Sequence, residues 1–284
     1  MTKQEKMQEL KVLAAQIRME TMKIIGARGF GHVGGSMSMA DAYAVIYGAY
    51  LKFDPKNPRW EDRDWCVLSK GHAGPVMYAT LGIMGFYPVS DAYMLNQPGT
   101  DFPSHTDRNK TKGVDLTTGS LGQGTSEAVG AALGLKTLKK DNKVFCVVGD
   151  GESDEGQVWE AAQFAAHYNL DNLIFLVDYN KRQLDGPVES VMSYKKGIAP
   201  RFDSMGWNVI DVADGNDVEQ IYDAIAAAYE TKGAPTAIIL NTVKGKGATF
   251  AEPSGAHSSQ PSQEEWDEGI AAVTAAYEAI KNAQ

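Results

Sequence analysis

Five short apolar runs, rich in β-branched residues and separated by helix-period stretches, constrain the fold of this chain more than any other feature. They are WCVLS (65–69), KVFCVV (143–148), NLIFLVD (172–178), WNVIDV (207–212) and TAIILN (236–241). Runs of this kind read as strands buried on both faces of a parallel sheet. Helices are expected near 74–86, 122–138, 155–168, 217–231 and 262–282. An opening helix over 5–26 puts Leu10, Leu13, Ala14, Ile17, Ile24 and Ile25 on one stripe that only Thr21 interrupts, and Gly26 and Gly29 end it. Strand followed by helix, repeated, predicts an α/β fold with a doubly wound, mostly parallel sheet and helices on both faces. No repeat, low-complexity tract or linker divides the chain, so residues 1–284 are expected to form a single domain.

Composition narrows the function classes. With 43% apolar and 22% charged residues over 284 positions, the chain can bury a large core and lacks the bias of a disordered protein. A net charge of -9 with scattered lysines argues against nucleic acid as a partner. The two cysteines, Cys66 and Cys146, form neither a disulfide framework nor a zinc signature, which fits a reducing cytoplasm. The first residues carry no apolar signal core, and nowhere are there the roughly 18 uninterrupted apolar residues of a membrane span, so a soluble, cytoplasmic protein is expected.

Two irregular stretches break the alternation: 96–124, and KGKGATFAEPSGAHSSQPSQ after the last apolar run. Long loops in compact domains are functional or disordered, and loops at the carboxyl ends of parallel strands are where ligands sit. Between the two lies VVGDGESDEG (147–156), which puts Gly149-Asp150-Gly151 at a strand end, in a turn read as too tight for a side chain on either neighbour. A carboxylate beside glycine amides suits a divalent cation that is itself bound to phosphate. Magnesium needs further hard oxygens, and Asn180 offers one at the end of the next strand. Glu155 falls about where the following helix begins. It is read as supporting Asp150, lying at a partner interface, or favouring the first helical turn. Four of the five histidines, His32, His72, His105 and His257, sit in Gly-, Ser- or Pro-containing loops that can face a cleft; His167 lies in a helical stretch and is assigned to structure. GFGHVG (29–34) satisfies G-x-G-x-x-G but follows a helix rather than a strand, which argues against a dinucleotide site.

The spacing from Gly149-Asp150-Gly151 to Asn180 resembles the diphosphate signature of thiamine-diphosphate enzymes. GHVGGS (31–36), SKGHAGPVMY (69–78), SHTD (104–107), TTGSLGQG (117–124), GDGESDEG (149–156) and TVKGKG (242–247) resemble transketolase, in transketolase order and across nearly the whole chain. The resemblance implies a thiamine-diphosphate-binding fold, with magnesium held by Asp150, Asn180 and the carbonyl of Arg182. It also implies cofactor contacts from His72, Gly119, Ser120, Leu121, Gly149, Gly151, Glu155 and His257. His32, His72, His105 and His257 become the catalytic lining of the sugar channel. His32 is followed by Val33 where the family commonly has proline, and the region before His257 is short.

By the same resemblance the chain is the N-terminal subunit of a split transketolase. It would transfer a two-carbon ketol unit from a ketose phosphate to an aldose phosphate, with a separate C-terminal, pyrimidine-binding subunit as partner in a dimer of heterodimers. Rival readings are a related subunit acting on dihydroxyacetone, deoxyxylulose phosphate or a sulfo- or phospho-sugar, a non-catalytic sensor of the cofactor, and a plain nucleotide-binding α/β protein.

Overall fold

A computed structural model describes residues 1–283. Its five strands are β1 (Trp65–Leu68), β2 (Val144–Gly149), β3 (Leu173–Asp178), β4 (Asn208–Val212) and β5 (Thr236–Leu240), in the order β1-β2-β3-β5-β4. All four pairings are parallel. β2, β3 and β5 are buried along their whole length, which is why they carry no polar alternation.

The helices are α1 (Lys3–Gly26), α2 (Val33–Met37), α3 (Ala40–Val45), α4 (Gly74–Ile83), α5 (Gln123–Thr137), α6 (Gly156–His167), α7 (Val188–Val191), α8 (Ala199–Asp203), α9 (Val218–Glu230) and α10 (Gln263–Asn282). The long ones start where the sequence caps them. Thr2 with Glu5 and Ser262 with Glu265 form reciprocal capping boxes at α1 and α10. The Asp217 side chain accepts from the amides of Glu219 and Gln220 at α9. Two apolar cores lie on the two faces of the sheet. Side chains of α1, α3, α4 and α9 pack with Phe145, Ile174 and Ile238 on one face, and those of α5, α6 and α8 with Cys146, Phe175 and Ile239 on the other. This is the doubly wound arrangement expected from the alternation.

The α1 stripe is buried as read, with Leu13 half-buried at its edge. The Thr21 that interrupts it is also buried, its hydroxyl donating 2.8 Å to the Ile17 carbonyl. α10 lies along α1, where the Trp266 indole donates to the Gly29 carbonyl at 3.0 Å and fixes the start of the loop carrying His32. The 33–50 region, to which the sequence reading assigned no element, folds into α2, α3 and a π-helical turn. Its residues are almost all buried, so no amphipathic period marks them. Both cysteines are buried, and among the described residues no helix is long and apolar enough to cross a membrane.

Candidate active site

The carboxyl ends of β1, β2, β3 and β5 open into one cleft of about 240 Å³, whose lining includes Asp150, Asn180, Arg182, Lys244, His72 and His257. Asp150 follows β2 directly. Its carboxylate accepts from the Gly151 amide at 2.7 Å and the Lys181 amide at 2.6 Å, a geometry that ties the β2 end to the β3 end. Burial, and then the neighbouring Asp178, push its carboxyl up to about 7. Asn180 orients its carboxamide by donating to Asp178 at 3.0 Å and accepting from the Arg182 amide at 3.1 Å. The Arg182 carbonyl accepts from the Lys244 ammonium at 2.7 Å. Burial pulls Lys244 down to about 8 despite Asp150 and Asp178.

Beneath these groups lies a fully buried ion pair that the sequence reading did not identify. Asp178, the last residue of β3, receives the Lys70 ammonium, the Ser38 hydroxyl, the Asn180 amide and the Thr242 hydroxyl. Burial alone would raise this carboxyl; Lys70 and the hydroxyl donors outweigh it and hold it below the usual range. Lys70 also donates to the Gly35 carbonyl at 2.7 Å, so one ammonium braces the β1 end, the β3 end and α2. Glu152 was also missed. Buried, it accepts from the Ser69 hydroxyl at 2.5 Å, the Gly122 amide at 2.9 Å and the Gly149 amide at 3.0 Å. Glu155 stands exposed at the start of α6, outside the cleft, so the carboxylate that braces the Asp150 turn is that of Glu152. Its sequence signal is faint, because GESDEG presents three acids and only the fold decides which one turns inward.

Four histidines form one cluster. The His32 ring lies 5.4 Å from His72, 5.7 Å from His105 and 5.3 Å from His257, centroid to centroid, and His72 lies 4.7 Å from His257. Loop stitching brings them together: Gly31 and Ser259 pair as an antiparallel bridge, and the Gly34 amide donates to the His257 carbonyl. Every member titrates below its ordinary value. Burial lowers His32, with His105 adding to it; burial lowers His105; and burial, with Lys244, His32 and Lys70 behind it, takes His257 down to about 4. Burial and then Lys70 depress His72 furthest. The cluster is therefore neutral at pH 7, and each imidazole offers one donor and one acceptor. His167 is exposed at the end of α6, away from the cluster.

A pH dependence follows with a definite sign. The unfolded chain binds a proton at His257 near 6.5 and the folded chain only near 4, so stability falls as pH drops through that window. Relative to His257→Gln, the wild-type chain is expected to lose stability between pH 6.5 and 4. Urea unfolding of both proteins at pH 7 and 5 measures this, and equal changes in the two would contradict it.

Leu121 lines the cleft, while Gly119 packs beside the His105 ring and Ser120 is exposed. The glycines around Asp150 correct one expectation. A Cβ at Gly149 would reach Lys70 only at ordinary contact, 3.4 Å, and one at Gly151 would meet the flexible Gln183 side chain at 3.2 Å. The turn is not sterically closed by protein; both positions face the cleft. Gly71, next to His72, is tight instead, since a Cβ there would come within 2.7 Å of the Thr118 backbone. Gly71→Ala is expected to cost about 1–3 kcal/mol by overpacking, read by chemical unfolding.

A family model described as "Transketolase, thiamine diphosphate binding domain" matches residues 10–277. The chain belongs to the transketolase family, as its thiamine-diphosphate-binding domain. It is 44% identical over 264 residues to the 6-deoxy-6-sulfo-D-fructose transketolase subunit SqwG of Clostridium sp. (strain MSTE9), covering 93% of this chain and 95% of that one. With the transketolase of Mus musculus it shares 37% identity over 262 residues, covering 91% of this chain and 41% of that one. Pichia stipitis transketolase in complex with sedoheptulose 7-phosphate superposes with a TM-score of 0.85 at 27% identity, over 97% of this chain and 46% of that one. The chain thus spans nearly all of the subunit from Clostridium and less than half of these transketolases.

Proposed function

We propose that this chain is the diphosphate-binding half of a two-chain transketolase. It would hold thiamine diphosphate through Mg²⁺ and work with a separate C-terminal, pyrimidine-binding subunit in a dimer of heterodimers. The observation that carries this reading is one cleft lined both by hard oxygen donors and by the imidazoles of His72 and His257, with His32 packed against both and His105 against His32. The donor chemistry fits the ion: Asp150, the Asn180 carboxamide oxygen and the Arg182 carbonyl are all hard oxygens, and all three residues line the cleft. Lys244, which already donates to the Arg182 carbonyl, would turn toward the diphosphate.

When bound, thiamine diphosphate supplies the carbon nucleophile and electron sink for ketol transfer. The protein's own share is positioning and proton management. The Lys70–Asp178 pair fixes the cleft floor, so the residues above it keep their geometry when a charged ligand enters. The neutral imidazoles of His32, His72, His105 and His257 donate hydrogen bonds to developing oxyanions and accept them from sugar hydroxyls. A sensor of the cofactor would need the oxygen wall and not the imidazole wall, and this favours the enzyme.

The relative from Clostridium, with its named sulfosugar, supports a second donor class beside ketose phosphates. Rates measured on the assembled two-chain enzyme with fructose 6-phosphate and with 6-deoxy-6-sulfofructose decide between phosphate and sulfonate. Absence of transfer from both would remove the reading.

A further inference from the structure

Three cations line the cofactor cleft, Lys70, Arg182 and Lys244, and they are not equivalent. Lys70 is neutralised by Asp178. Lys244 donates to two carbonyls, that of Arg182 at 2.7 Å and that of Gln183 at 3.3 Å. Among the described residues neither Lys244 nor Arg182 meets a carboxylate within ion-pair distance, although Asp150 and Asp185 line the same cleft. Burial first, then Lys70 and Arg182, pull the Lys244 ammonium down against Asp150 and Asp178, so the guanidinium and the ammonium repel each other at one lip of the cleft. An anion placed between two such like charges turns that repulsion into attraction.

The Arg182 side chain is exposed, yet it is held in place. It runs against the segment that leads to His257, where a Cβ at Gly255 would overlap its Cδ and come within 2.5 Å of its Nε. Gly255 takes φ 62°, in the left-handed region, so a glycine is what lets this segment close over the arginine. A free surface arginine samples many rotamers; one confined between the β3 end and the His257 segment loses less freedom when it takes a ligand. We infer that the Arg182 guanidinium binds an oxyanion of the cofactor's diphosphate, so that one residue offers its carbonyl to the magnesium ion and its planar fork to the phosphate on that ion. The two roles do not compete, because the carbonyl is an acceptor and the guanidinium a donor. The inference rests on the thiamine-diphosphate reading of the site.

The test is isothermal titration of the full chain with inorganic pyrophosphate and Mg²⁺, and with thiamine diphosphate and Mg²⁺, at low and at high ionic strength. Arg182→Ala keeps the backbone carbonyl and is expected to weaken both ligands by about tenfold or more in low salt, as the loss of a hydrogen bond to a charged group does. The loss should shrink in high salt, because a charge contact is screened and a packing defect is not. Arg182→Lys should recover part of the affinity, since it restores the charge without the fork. Gly255→Ala leaves the charge in the chain but fills the slot it occupies, and should weaken pyrophosphate as well; combined with Arg182→Ala it should add little. Equal affinity of Arg182→Ala and wild type, a loss that is the same at both ionic strengths, or additive losses in the double variant overturns the inference. So does unchanged pyrophosphate affinity with a raised KM for the sugar phosphate in the two-chain enzyme, which would give Arg182 to the sugar instead. Weakened pyrophosphate binding in a protein without ketol transfer would sink the functional reading alone, and transfer with unchanged binding in Arg182→Ala would sink the inference alone.

Discussion

Replacing Asp150 with asparagine is expected to weaken binding of thiamine diphosphate with Mg²⁺ by at least about a hundredfold, beyond the 10–100-fold typical of outer-shell partners of a metal ligand. The size follows from position. Asp150 is the only carboxylate among the three proposed magnesium donors, so its loss leaves the ion bound by neutral oxygens and diphosphate alone. Asparagine keeps the shape and one acceptor for the Gly151 and Lys181 amides, so the fold should persist. Isothermal titration of wild type and variant with the cofactor and Mg²⁺ reads the difference. In thermal denaturation, ligand at a hundred times the wild-type dissociation constant should stabilise wild type by roughly 2.7 kcal/mol and the variant by about 0.4 kcal/mol or less. Equal affinity in the two proteins would remove Asp150 from the site.

His32→Asn should show the opposite division. His32 touches all three other members of the cluster but is not part of the lining of the cofactor cleft. Its replacement is expected to lower kcat/KM for ketol transfer by about 10²–10⁴, the usual share of a general acid–base group, while cofactor affinity stays within twofold. Steady-state kinetics and titration on the same preparation check both halves. A loss of cofactor binding equal to the loss of rate would make His32 structural.

The two substitutions also mark what could be read from sequence. β-Branched apolar runs ending in Asp150 and in Asp178-Tyr179-Asn180 gave away the strands and the oxygen wall, because a parallel sheet sends its carboxyl ends to one side. The loop histidines were visible as a set but not as a cluster: residues 32, 72, 105 and 257 meet only because the 31–34 and 257–259 segments pair. Lys70 and Asp178 escaped notice for the same reason. Each looks like an ordinary charge at a strand end, and only the sheet order, with β2 between β1 and β3, sets one against the other in the interior. Lys244 stood within a quoted motif, yet nothing in TVKGKG says that its side chain crosses to the Arg182 carbonyl. Glu155 was named and Glu152 was not, because turn geometry two residues past Asp150 is not encoded in periodicity.

The most direct test of the account is ketol transfer from a ketose phosphate to ribose 5-phosphate, with thiamine diphosphate and Mg²⁺. It is run on this chain alone and on this chain mixed with a separate C-terminal, pyrimidine-binding transketolase subunit. The account expects no transfer from the chain alone, transfer in the mixture, and loss of that transfer with Asp150→Asn. Full activity from this chain by itself, or none in a mixture that binds the cofactor, would contradict it.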